Sequence, residues 1–455
     1  MTGLTIEDVV ARAAEDDIRL VRFLYCDPAG VIRGKNVHVG RLASRMREGI
    51  GMTRAQNTLN MLDQLAPLVE GMEPVGEFRV APDPDTYSVL DWVPRTASML
   101  SDQLGHDGLD WGGCPRSFLK RVIADAETEG IRVMAAFENE FYLVEEVDGT
   151  VVPWQDGPCY SSAGMDRAAD VMGDIVDSLI AQGIEVEQAI NEYGPGQQEI
   201  AVRYRDALGA ADQQVKFRDT VRGVAENLHG LIASFAPKPF ADGVGSGAHI
   251  HFSLWSPDGS RNLMYAADAG DRLLSDTGRW FVAGVLLHLP ALVALTCPSF
   301  NSYERLVPHS WASSTVSWGP DNREASVRVA STFRGREAES TNVELKACDP
   351  SCNPYLALGG LIVAGLDGMR RRLEPPEPVL HDPANVPLAE QARHGIRPLP
   401  ASLREALAAL QADPVLFPAL GDMLGRCIIA VRTSEADALE RLSPDEARLA
   451  HLRVF

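Results

Sequence analysis

The sequence is short of cysteine, of basic residues and of uninterrupted apolar runs, and each shortage removes a class of function. Seven cysteines (Cys26, Cys114, Cys159, Cys297, Cys348, Cys352 and Cys427) are scattered through 455 residues with no C-x-x-C spacing. An odd, dispersed set frames neither a disulfide scaffold nor a zinc site, and it fits a reducing cytoplasm. Lys and Arg number 42 against 63 acids, a formal charge of -21. A protein that binds nucleic acid through its phosphates needs a basic face, so none is expected as a partner. The longest apolar stretch, Trp280 to Leu295, is broken by His288 and Pro290; it reads as too short and too interrupted for a membrane span. The first residues lack the basic-then-apolar order of a secretory leader. No internal repeat or low-complexity tract stands out.

What is present is an α+β pattern. A short acidic helix is expected over residues 5–17, then two strands within 18–39 joined at Asp27-Pro28-Ala29-Gly30, whose proline and glycine suit a turn. Pro- and Asp-rich sequence follows at 82–94, and residues 1–105 read as a small unit. From Pro115 helices and strands alternate: helices over Pro115–Glu129, Ala163–Gln182 and 211–235, a strand pair within 184–205, and strands at 248–255, 323–330 and 341–347. The C-terminal third reads as mostly helical.

Several strands carry charge where a core strand should not. Successive side chains on a strand point to opposite faces. In Met134–Leu143, Phe137 and Phe141 share one face while Glu138 and Glu140 share the other. Neighbouring carboxylates repel unless cations lie between them. Glu192 and Glu199 flank a Gly-Pro-Gly turn that can bring them to one end of a hairpin. Gly243–Gly247 has a G-x-G-x-G spacing, but a strand follows it, which excludes a dinucleotide fingerprint and leaves a backbone open to close approach by a ligand. In that strand His249, His251 and Ser253 share one face. Three arginines, Arg305, Arg323 and Arg328, offer planar forks for carboxylate or phosphate, and Glu344 and Lys346 share a face in Asn342–Lys346. Singly, these pieces also read as a solvent-facing edge, a polar loop or surface ion pairing. Together they supply hard oxygen ligands and one histidine for magnesium or manganese, with arginines for anions, the set that phosphoryl transfer uses.

Phe137-Glu138-Asn139-Glu140-Phe141, the Gly-Pro-Gly hairpin, the glycine loop before His249, Asn301-Ser302-Tyr303-Glu304-Arg305-Leu306-Val307-Pro308 and Asp321–Arg328, in this order, resemble the type I glutamine synthetase family. The resemblance implies a small β-grasp N-terminal domain (1–105) and a large catalytic domain (106–455) with a curved antiparallel sheet, assembled into rings, typically dodecamers. It implies ATP as co-substrate and two or more Mg2+ or Mn2+ ions per site. Glu140, Glu192 and Glu199 would hold one ion, and Glu138, His249 and Glu344 the other. Arg323 and Arg328 would steady the phosphoryl group, Glu187, His251 and Ser253 would meet the nucleotide, and Gly245 and Arg305 the amino acid. Asp349–Tyr355 matches the family motif that opens a structural helix.

The departures carry the specificity argument. Ammonium-using members carry a glutamate six residues after the arginine that matches Arg305; here Trp311 stands there. Their N-terminal D-G-S-S stretch is absent, the region reading Gly51–Asn57. A buried ammonium ion needs acceptors, so the amine site reads as built for an organic amine, whose cationic head can stack on Trp311. Lys346 replaces the second substrate arginine and Val244 the asparagine before the binding glycine. The expected activity is ligation of glutamate to a small organic amine through γ-glutamyl phosphate, as in the γ-glutamyl-amide or γ-glutamyl-polyamine synthetase branch that the chain resembles. Glutamine synthesis from ammonium and a non-catalytic ring are the alternatives. The segment Asp382–Leu388, where some type I enzymes carry an adenylylated tyrosine, has none.

Overall fold

The computed structural model describes residues 3–67, 69–270 and 274–455. The N-terminal part opens with helix α1 (Ile6–Glu15), capped by a reciprocal Thr5–Asp8 pair. Strands β1 (Leu20–Cys26) and β2 (Ile32–His38) form the expected hairpin. Its turn is fixed from two sides. Gly30 has φ +81°, and a Cβ there would lie 2.3 Å from the Ser351 carbonyl oxygen, so only glycine fits. After helix α2 (Leu42–Glu48), strands β3 (Ile50–Thr53), β4 (Glu77–Pro82), β5 (Ser88–Val89) and β6 (Thr96–Leu104) complete a six-stranded sheet of order β2-β1-β6-β4-β3, with β5 on β6. β1 and β6 run parallel, as in a β-grasp. Phe23, Tyr25, Phe78 and Met99 fill its core, and Trp111 stacks on Phe78 with ring centroids 4.9 Å apart.

The large sheet has ten strands. Its spine is the 16-residue strand β7 (Arg132–Val147). Along or beyond it lie β8 (Thr150–Pro153), β9 (Val186–Asn191), β10 (Gln197–Val202), β11 (Arg205–Asp206), β12 (Ile232–Ser234), β13 (Ala248–Trp255), and, after the short β14 (Thr315–Val316), β15 (Trp318–Pro320), β16 (Val327–Val329) and β17 (Val343–Leu345). The main path is β15-β16-β17-β13-β7-β10-β9, antiparallel except between β15 and β16. One face is apolar: Phe137, Ile250, Phe252, Val327, Val343 and Leu345 pack against α3 (Pro115–Thr128), α5 (Ala207–His229), α6 (Asp276–Thr296) and, beyond the short α7 (Ser302–Arg305) and α8 (Glu337–Ser340), α9 (Pro354–Arg371). Farther along β7, Phe141 and Leu143 meet α4 (Ser162–Ala181) and α5 in a second cluster.

One helix differs from the sequence-based expectation, and another accommodates a proline. α5 starts at Ala207, where Asp206 caps it, and ends at Gly230 in the left-handed conformation; the 232–234 stretch, expected as helix, pairs with β7 instead. α6 runs unbroken through Pro290. Proline removes one N–H from the helix ladder, and Arg397 Nη2 satisfies the freed Leu286 oxygen at 2.9 Å while also reaching Leu287 O at 3.2 Å. By length and composition α6 is the one helix among the described residues apolar enough to cross a membrane, yet 78% of its apolar window is buried. It packs so closely on α9 that a Cβ on Gly284 would stand 2.2 Å from Ala364 O.

α6 also carries a titrating clasp. His288 donates from Nδ1 to Asp413 (2.7 Å) and from Nε2 to Asp367 (3.1 Å). Burial disfavours the imidazolium, but the two carboxylates outweigh it and raise the pKa above 6.5. The clasp therefore contributes fully below the unfolded value of 6.5 and is lost as pH rises through the folded one. Urea midpoints of the protein and of His288→Gln should converge on going from pH 6 to pH 8.5; a pH-independent gap would refute the clasp.

Candidate active site

The face of the large sheet opposite the helices gathers the charged residues. β7 and β13 pair so that His249 lies opposite Glu138, β13 and β17 so that His251 lies opposite Glu344, and β16 and β17 so that Arg328 lies opposite Glu344. Glu140 lies opposite Glu199 across β7 and β10. The alternation read from the sequence thus becomes a row of facing acids and bases.

One end of the row is mixed. His249 Nδ1 is 3.2 Å from both Glu138 Oε2 and Glu344 Oε1. His251 Nε2 lies 3.5 and 3.9 Å from the same two oxygens, and its Nδ1 contacts Asn342 Oδ1 at 2.9 Å. Ligand atoms of Glu138, His251 and Glu344 all lie within 4.8 Å of one another, the spacing of a cation site. The expected grouping was Glu138, His249 and Glu344; the structure sets His251 as close to the carboxylates as that group requires. Arg328 Nε sits 2.9 Å and Lys346 Nζ 3.4 Å from the Glu344 carboxylate. Burial opposes ionisation of Glu344, but Lys346, His249, His251 and Arg328 hold it down at about 2. Burial and then Lys346 push His249 down to about 4, leaving a neutral ring suited to metal ligation. For His251 burial is outweighed by Glu138 and Glu344, which bring it to about 9.

The other end holds carboxylates on which Arg305 and Lys346 act only from a distance. Glu140 accepts from the Gly247 N–H (2.8 Å) and from Gln197 Nε2 (3.3 Å). Glu192 folds back onto the Tyr193 N–H (2.8 Å) and accepts from the Tyr160 hydroxyl (3.3 Å). Burial, reinforced by Glu138, Glu140 and Glu192, pushes Glu199 up to about 10, and burial pushes Glu140 to about 7. Acids crowded until they hold protons at neutral pH are what a hard dication relieves. The donor set at both ends therefore fits divalent cations.

Arg305 lies between the ends. Its Nη2 meets His249 Nε2 (3.2 Å) and Lys346 O (3.4 Å), while Nη1 is buried with no partner among the described residues. The glycine loop presses on it: a Cβ on Gly245 would lie 2.6 Å from Arg305 Cγ, and one on Gly247 would lie 2.6 Å from Nη2.

Other expected residues stand apart from the cluster. Arg323 is exposed. Glu187 lies on the edge strand beside a register shift and pairs with Arg203 at 3.5 Å. Ser253 accepts from Trp255 Nε1 at 2.9 Å. Trp311 is 56% exposed on a loop where His309, Trp311 and Ser313 all have positive φ. Sequence reasoning did not single out Tyr160, Gln197, Asn342 or Glu324. Gln197 follows the Gly-Pro-Gly turn, which marks it; Tyr160 reaches Glu192 from a loop, and Glu324 stands on a loop against the Trp311 backbone. The Asn139 of the Phe-Glu-Asn-Glu-Phe motif faces inward, exchanging hydrogen bonds of 2.7 and 2.6 Å with Gln214.

The same architecture is found in known proteins. The glutamine synthetase catalytic domain family matches residues 112–449 and the glutamine synthetase N-terminal domain family residues 1–115. Gamma-glutamylpolyamine synthetase GlnA3 of Streptomyces coelicolor is 38% identical over 94% of this chain and 91% of its own length. The glutamine synthetase of Halobacterium salinarum is 35% identical over 90% and 89%. A crystal structure described as a novel glutamine synthase homolog superposes with TM-score 0.85 at 31% identity, covering 96% of this chain and 99% of that one. An apo GmaS structure gives 0.83 at 30%, covering 97% and 98%. With both domain families matched and relatives spanning nearly its whole length, the chain belongs to the glutamine synthetase family.

Proposed function

We propose that the protein is an ATP-dependent ligase that joins the side-chain carboxylate of glutamate to a small organic amine, releasing ADP and phosphate. The observation that carries this reading is an acid and base row competent for cations and phosphate, beside a loop on which Trp311 occupies the position of the ammonium-binding glutamate. The name of the Streptomyces relative, a gamma-glutamylpolyamine synthetase, supports the amine class.

In this reading Glu140, Glu192 and Glu199 hold one Mg2+ or Mn2+ and Glu138, His249 and Glu344 hold a second, with His251 alongside. Bound there, the ions neutralise charge on the ATP phosphates. Arg328, already turned to the row, steadies the transferred phosphoryl group, and Arg323 joins it once ATP is present. Ser253, His251 and Glu187 line the nucleotide side. The free Nη1 of Arg305 is a donor awaiting a carboxylate oxygen, and the Gly245 backbone lets the amino acid approach. Lys346 adds charge without a bidentate fork.

Glutamate's carboxylate attacks the γ-phosphorus, giving γ-glutamyl phosphate and ADP. The amine then attacks the acyl carbon, and phosphate leaves. A division at residue 105 belongs to this reading, supported by the end of β6 at Leu104, as do assembly into rings and a cytoplasmic setting.

The test is phosphate release with ATP, Mg2+ and glutamate across ammonium, methylamine, ethanolamine, putrescine and a longer polyamine, with product masses. Best turnover with an organic amine supports the reading; best turnover with ammonium makes the protein a glutamine synthetase. Trp311→Glu is expected to shift the kcat/KM ratio toward ammonium by about ten-fold or more, and an unchanged ratio would remove Trp311 from the amine site.

A further inference from the structure

The loop that carries Trp311 is pinned at two points, and Asn322 ties the pins together. The Trp311 N–H donates to Glu324 Oε1 at 2.9 Å. His309 Nδ1 contacts Asp382 Oδ2 at 2.6 Å. Asn322 closes the frame: its Oδ1 accepts from the Glu324 N–H (3.1 Å), and its Nδ2 donates to Val379 O (2.9 Å) and His381 O (2.8 Å), in the segment that leads to Asp382. Glu324 is thus a fixed carboxylate and not a free surface acid. One oxygen is held by the loop backbone, and the group is only part-buried. After burial and the Trp311 bond, the charges that act on it are those of Asp382, His309 and, last, Lys346 of the acid and base row. Lys346 in turn lies 3.4 Å from Glu344. The Trp311 position lacks a carboxylate, but its loop has one bonded directly to it.

We propose that Glu324 is the carboxylate that receives the ammonium head of the incoming amine and accepts its proton. This rests on the amine-ligase reading and names the residue that makes an amine nucleophilic there. An amine arriving as R-NH3+ has no lone pair. Transfer of one N–H proton to the second Glu324 oxygen frees it. The nitrogen then bonds to the acyl carbon, the bond from that carbon to the phosphate oxygen breaks with its electron pair, and the remaining excess proton on nitrogen leaves with phosphate. The proton on Glu324 passes to solvent, which its partial exposure allows. Trp311 covers the apolar part of the same amine.

Glu324→Gln keeps an oxygen to accept from the Trp311 N–H and removes the charge, so the loop frame survives. With an organic amine as acceptor its KM should rise about 10- to 100-fold, while the KM values for ATP and glutamate stay put. Hydroxylamine, an uncharged nucleophile at neutral pH, should be used by protein and variant at nearly equal rates. Glu324→Asp, which retains the charge, should recover part of the amine KM. Loss of hydroxylamine and amine turnover to the same degree would mark Glu324 as merely structural, and an unchanged amine KM would also overturn the proposal. If the unmodified protein prefers ammonium, the organic-amine reading falls by itself, and the same comparison with ammonium against hydroxylamine still decides Glu324.

Discussion

Glu344→Gln is expected to lower ATP-dependent phosphate release by about 10^3-fold and to abolish the thermal stabilisation by Mg2+. Glu344 is 1% exposed and, among the described residues, is the one carboxylate touched by both histidines, Arg328 and Lys346 together. Glutamine preserves its shape, so the loss tests charge. Removing that charge also leaves Lys346, 3% exposed, without its carboxylate. Stranding one partner of a buried ion pair costs about 3 kcal/mol or more. The variant should therefore melt earlier in the absence of metal, and chemical denaturation separates this from the catalytic loss. Near-full activity with an intact Mg2+ response would take Glu344 out of the cation site.

Arg116→Ala is expected to destabilise the protein by about 3–5 kcal/mol, read as a fall in the urea midpoint. Arg116 is 2% exposed and binds three carboxylates: Asp212 at 2.9 and 2.8 Å, Asp102 at 3.0 Å and Asp83 at 2.7 Å. Tyr355 adds a hydroxyl to Asp212 at 2.7 Å. Asp83 and Asp102 flank or belong to the small sheet, whereas Asp212 and Tyr355 lie on the helices of the large one. Without the guanidinium, three part-buried acids face one another, with Lys120 left to pair with Asp102. A broader, two-step transition is the expected signature, the small sheet loosening first. An unchanged midpoint would mean that water replaces the arginine at no cost.

The sequence made legible what alternation encodes. Glu138 with Glu140, and His249 with His251, read as paired faces because β7 and β13 have one dry and one charged side, and β13 spans the expected 248–255. β6 gave no such signal: nearly all of Thr96–Leu104 is buried, so no alternation marks it. The start of α5 is hard to read because Ala207-Leu208-Gly209-Ala210 carries no polar alternation and holds a glycine, and its end because Gly230 stops the helix before the largely apolar 231–235 stretch. Arg116 meets Asp212 across 96 positions, a distance at which a lone charge gives no local sign of its partner. Glu324 was passed over because its partner is a backbone N–H, which no side-chain pattern reveals.

The alternating faces of β7 and β13 give this protein a structural reading frame of two. One residue added or removed just ahead of Ala248 would turn Ile250, Phe252 and Leu254 toward the cations and drive His249 and His251 among the helices. Two residues would restore the faces, though displaced along the strand by one pleat. Length changes should thus be tolerated in even steps within these strands, and in any step at the Asp148-Gly149 tip between β7 and β8, where both residues already hold the left-handed conformation of a turn.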